Sequence, residues 1–105
     1  MTMAEIIQAM TERLVRDFDP LRVVLFGSHA RGEAGRHSDV DLLVVLSEVE
    51  DKRQAAIAMR EALADFLVPK DVIVTTPQEI ARRGHLVGTV LRPALREGKV
   101  LYERA

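Results

Sequence analysis

The sequence predicts an α/β domain (α+β in some schemes) built on a mixed sheet of three to four strands with helices packed against it. Three observations lead there. Short apolar runs rich in β-branched residues alternate with amphipathic helical repeats along the 105 residues. Small and acidic residues sit where these segments begin or end: Gly27-Ser28 closes the first run, Asp39 and Asp41 open the second, and Asp71 opens the third. If those residues meet, strand two must run against strand one and alongside strand three. The helix between strands two and three then supplies the crossover that parallel pairing requires.

The elements follow in order. Ile6, Ile7, Met10, Leu14 and Phe18 recur at helical spacing, so a helix is expected over Ala4 to Phe18, stopped by Asp19-Pro20. Leu21 to Phe26 is a buried strand ended by Gly27. Ser28 is placed to cap a short helix beginning near His29, with Glu33 in its early turns, and residues 34–38 form a polar loop. Val40 to Leu46 is almost continuously apolar, as a central strand would be. Ala55, Ala56, Met59, Leu63, Phe66 and Leu67 predict a helix over Asp51 to Leu67, ended by Val68-Pro69. Asp71 to Thr75 is the third strand, and Pro77 suits the first position of a helix through Arg83. Leu86, Val87, Val90, Leu91, Ala94 and Leu95 again repeat at helical spacing, but Pro93 should kink or divide that run. Gly98 ends it, and Lys99 to Tyr102 is a short last strand.

Composition narrows the functional classes. A hydrophobic fraction of 48% with 30% charged residues belongs to a globular chain and not a disordered one. The length fits one domain over 1–105. There is no cysteine, which removes disulfides and thiolate metal sites. A formal net charge of -1 gives no overall pull toward nucleic acid or an anionic membrane, so neither is an expected partner. No apolar run approaches the ~20 residues of a membrane span, and the N-terminus has no leader pattern. The cytoplasm is the expected location.

The carboxylates carry the chemistry. Side chains alternate along a strand, so Asp39 and Asp41 project on one side while Val40 and Leu42 project on the other. Two carboxylates on one face of an apolar strand repel each other and resist desolvation. Either basic side chains compensate them, or a hard divalent cation does, for which oxygen ligands are suited. Asp71 offers a third carboxylate. Gly27 permits close backbone approach, and Ser28 adds a hydroxyl at a helix start, a combination that suits phosphate. Each feature alone fits a plain turn or strand end; together they favour a metal-nucleotide site.

Gly27-Ser28, ten intervening residues and Asp39-Val40-Asp41 resemble the signature of the polymerase-beta-like nucleotidyltransferase superfamily. The stretch from Phe26 to Val44 and the ending Ala94 to Glu103 are similar to its small stand-alone MNT group, so the resemblance covers nearly the whole chain. It implies that fold and an enzyme transferring AMP from ATP. Asp39 and Asp41 would then hold Mg2+, and Asp71 would complete a second metal position or accept the proton of the attacking hydroxyl. Gly27 and Ser28 would hold the β- and γ-phosphates. The resemblance also implies a protein partner, a HEPN-type ribonuclease toxin modified on a tyrosine, with this chain as its antitoxin. A binding antitoxin without catalysis, or transfer to a small molecule or an RNA end, stay open at this point.

Other residues divide between function and surface. Arg31 either reaches the triphosphate or pairs with a neighbouring carboxylate such as Glu33. Arg36 and His37 precede Asp39 in the loop and are read as surface residues within reach of ligand. His29 and His85 are read as packing or surface residues. Arg82, Arg83, Arg92 and Arg96 read as a solvated basic face, and Tyr102 as a packing residue. The apolar C-terminal helix suits a homodimer or an assembly with the partner.

Overall fold

The computed structural model describes residues 1–35, 37–84, 86 and 91–105. In chain order the elements are α1 (Met3–Phe18), β1 (Arg22–Phe26), α2 (Ser28–Arg31), β2 (Val40–Val45), α3 (Lys52–Ala62), β3 (Lys70–Thr75), α4 (Pro77–Arg83), α5 (Leu91–Glu97) and β4 (Lys99–Glu103). The strands form one mixed sheet in the order β3-β2-β1-β4. β1 and β2 are antiparallel, with Phe26 opposite Asp41. β2 and β3 are parallel, with Asp41 opposite Asp71. Both directions are those required by the positions of the small and acidic residues. β4 joins the free side of β1, antiparallel.

Alternation along the strands divides the core in two. Val23, Leu25, Val40, Leu42, Val44, Val72 and Val74 face α1 and α3, meeting Ile7, Met10, Leu14, Ala56, Met59 and Leu63. Val24 and Leu43 face the other way, onto Leu91 and Ala94 of α5. Asp41 lies between Val40 and Leu42 on β2, so it shares the α5 side of the sheet with Leu43. Fully burying a side chain such as Leu14 or Met59 contributes about 1.5–3 kcal/mol.

Local chemistry explains where the boundaries differ from expectation. Helix α1 begins one residue early because Thr2 and Glu5 form a reciprocal capping box. Ser28 does not cap α2. Gly27 is the N-cap residue and Ser28 the first helical residue, with the Ala30 and Arg31 amides both donating to the Gly27 carbonyl. Helix α3 is shorter than Asp51 to Leu67, because beyond Ala62 the chain tightens into i→i−3 bonds from Ala64 to Glu61 and from Phe66 to Leu63. Leu63 and Phe66 stay turned inward, whereas Leu67 is 95% exposed. The turn is held by Arg13, which donates to the Ala62 carbonyl and lies over the Phe66 ring, and by Lys70, which donates to the Phe66 and Val68 carbonyls.

Pro77 occupies the first position of α4, with Thr76 as its cap. Pro93 lies within α5 as described, between Leu91 and Glu97. The expected helical run from Leu86 to Leu95 passes through residues 87–90, which lie outside the described residues, as do Arg36 and His85. Gly98 packs α5's end onto β1, since a Cβ there would collide with the Ala94 carbonyl and the Val24 side chain.

Candidate active site

The sheet register collects the predicted residues at one edge. β1 delivers Gly27 and Ser28 from its C-terminal end, while β2 and β3 deliver Asp39, Asp41 and Asp71 from their N-terminal ends. Gly27 has φ 74, a region that favours glycine. A Cβ at Gly27 would overlap the carboxylate of Asp41. Glycine is therefore needed twice here, for the turn and for the approach of Asp41 to the backbone.

The electrostatics agree with that crowding. Burial first, and then the negative charges of Asp39 and Asp71, raise the pKa of Asp41 above the ordinary carboxylate value, while the charges of His29 and Arg31 oppose this. Neither Asp39 nor Asp41 has an ion-pair partner among the described residues. Asp71 does. Its Oδ1 accepts from Arg60 Nη1 at 3.3 Å and from the Val72 amide at 3.0 Å. No group of three acidic or histidine side chains among the described residues stands at metal-ligating separation. The three carboxylates share an edge without converging on one point, and the bonds just named hold Asp71. An all-oxygen donor set beside a glycine cradle nevertheless fits a hard cation carrying phosphate.

The loop before Asp39 is tied down by side chains. His29 Nε2 lies 3.2 Å from the Ser38 carbonyl, linking α2 to the residue preceding Asp39. Ser38 Oγ accepts from the Gly35 amide at 2.8 Å. His29 therefore does more than pack. Arg31 is paired with Glu33 at 3.1 Å and lies 3.9 Å from Glu97, while His37 is exposed. Tyr102 is partly buried against the core, as its position on a last strand suggested. Arg60 drew no attention from sequence, because nothing in its spacing marks a helical arginine that pairs with a carboxylate 11 residues on.

A concavity of ≈ 790 Å³ lies elsewhere, between α1 and β4. It is lined by apolar groups including Ile7, Val100 and Leu101 and includes His29, but none of the three aspartates. This hollow is thus separate from the aspartate edge.

Comparison with known proteins decides the family: residues 4–99 match the nucleotidyltransferase domain model. The chain is a nucleotidyltransferase domain. Its MNT-type resemblance extends to individual relatives. A chain from Methanocaldococcus jannaschii, provisionally described as a protein adenylyltransferase, is 28% identical over 91 residues, or 82% of this chain. This nucleotidyltransferase domain spans only 60% of that relative's length. Among solved structures, a provisionally assigned nucleotidyltransferase from Sulfolobus solfataricus superposes with a TM-score of 0.62 at 22% identity, covering 97% of this chain and 81% of its own. A toxin-antitoxin structure with AMP-PNP superposes at 0.57 with 25% identity, covering 92% and 73%. A complex of a tri-AMPylated Shewanella oneidensis HEPN toxin with its MNT antitoxin superposes at 0.54 with 18% identity, covering 97% and 74%. The likenesses at 22% and 18% establish the fold alone.

Proposed function

We propose that this domain transfers AMP from ATP to a protein hydroxyl, and that the acceptor is a tyrosine of a HEPN-type ribonuclease toxin for which the chain is the antitoxin. The observation that carries the chemistry is the meeting of Gly27-Ser28, Asp39, Asp41 and Asp71 at one sheet edge. Support for the acceptor comes from the adenylyltransferase relative and from the antitoxin neighbours, one with AMP-PNP and one with an AMPylated toxin.

In this reading Asp39 and Asp41 would hold Mg2+, and Asp71 would complete a second metal position or accept the proton of the attacking hydroxyl. Bound cations would neutralise charge on the attacking and leaving oxygens of an in-line displacement. Gly27 and Ser28 seat the β- and γ-phosphates, and Arg31 approaches the same phosphates from α2. The acceptor hydroxyl oxygen bonds to the α-phosphorus as the bond from that phosphorus to the bridging oxygen of pyrophosphate breaks. Pyrophosphate leaves with the electron pair, and the hydroxyl proton passes to solvent, by way of the Asp71 carboxylate if that group serves as the base instead of a metal ligand.

The test is mass spectrometry of a candidate HEPN partner after incubation with the chain, ATP and Mg2+. One or more AMP adducts on a partner tyrosine are expected. An unmodified partner that the triple aspartate-to-alanine variant still binds and neutralises would overturn the catalytic reading.

A further inference from the structure

Arg60 is the only side chain among the described residues that forms an ion pair with any of the three site carboxylates. It projects from the last turn of α3, whose buried Ala56 and Met59 anchor it to the core. Its guanidinium meets Asp71 at the start of β3, opposite Asp41 in the sheet register. Both partners are about half exposed, with side-chain accessibilities of 42% and 48%. Ion pairs this exposed are weak, so water or a stronger cation displaces them readily.

Charge balance gives the pair a purpose. Asp39, Asp41 and Asp71 lie at one sheet edge, Asp41 directly opposite Asp71 in the register, and one guanidinium offsets part of that negative charge. A divalent cation taking Asp71 would release this guanidinium at the rim of the same edge. Its planar fork matches phosphate oxygens, which a point charge does less well.

We propose that Arg60 is a counter-ion in exchange: it neutralises Asp71 before loading, yields that carboxylate to the cation, and then pairs with the polyphosphate of the incoming nucleotide. This rests on the nucleotidyl-transfer reading above and assigns a positioning role to a residue outside the signature. It makes the two binding events respond to Arg60 with opposite sign.

The test measures binding, not turnover. Mn2+ alone is titrated by electron paramagnetic resonance, and a non-hydrolysable ATP analogue with Mg2+ by calorimetry, for wild type, Arg60→Gln and Arg60→Lys. Arg60→Gln should bind Mn2+ about 3- to 10-fold more tightly and the Mg2+-nucleotide about 3- to 10-fold more weakly. Arg60→Lys should stay near wild type for Mn2+ and recover only part of the nucleotide affinity. In an Asp71→Asn background the Arg60→Gln gain in Mn2+ affinity should vanish. Unchanged affinities, a change of the same sign in both, or a gain that persists without Asp71 would overturn the exchange while leaving nucleotidyl transfer standing. Failure of the wild-type protein to bind either Mn2+ or nucleotide would overturn both.

Discussion

Gly27 and Asp41 illustrate what a two-letter motif enforces at the scale of a residue. A side chain at Gly27 must accept a left-handed backbone and push the Asp41 carboxylate aside. Gly27→Ala should therefore lower AMP transfer by about 100-fold, the scale of a small misplacement of reacting groups, while the circular dichroism spectrum is retained. Wild-type transfer by this variant would show that the close approach is dispensable. Asp41 also has a signature of its own. Its folded pKa is raised, so its ionisation opposes folding: the stability it confers is present below the unfolded value of about 3.9 and is lost as pH rises through the folded pKa. In metal-free buffer at pH 7, Asp41→Asn should melt a few degrees higher than wild type, and the gain should vanish below about pH 4. A lower melting temperature at pH 7 would contradict this.

At the scale of elements, Glu79 shows how α4 is docked. It occupies the first turn of α4, accepts from Thr75 Oγ1 at 2.6 Å at the end of β3, and pairs with Lys52 at the start of α3. Burial alone would raise its pKa, but the bonds from Lys52 and Thr75 outweigh burial and hold it below the ordinary value. The stability it confers is thus present above the unfolded value of about 4.3 and lost as pH falls through the folded pKa. Glu79→Gln should cost about 1–2 kcal/mol at pH 7 in urea unfolding, with the difference closing toward pH 3. A pH-independent difference would point to packing instead.

Much at this scale is legible from periodicity. The apolar stripe of α1, the β-branched cores of β1 to β3 and the proline start of α4 are local signals. The end of α3 is not, because Leu63, Phe66 and Leu67 continue a helical pattern that the chain abandons for a tighter turn.

Across the whole molecule, the signature residues determine strand direction. Gly27-Ser28 after one strand and aspartates before two others meet only if β2 opposes β1 and parallels β3, which is the register found. The candidate site is legible to the same degree, down to Asp71. The pairing of β4 with β1 is not legible, because it depends on contacts such as Gly98 packed against Val24 and Leu25, distant in sequence. Arg60 is hidden for the same reason. It joins α3 to β3 through a tertiary contact with no motif around it.

The most direct measurement follows AMP from ATP labelled at the α-phosphate onto a purified HEPN partner. Wild type would be compared with Asp39→Ala, Asp41→Ala and Asp71→Ala, each shown to be folded by circular dichroism. Label on the partner with wild type and none detectable with any of the three variants is the predicted result. Full labelling by folded Asp39→Ala would contradict the central claim that these carboxylates form one catalytic edge.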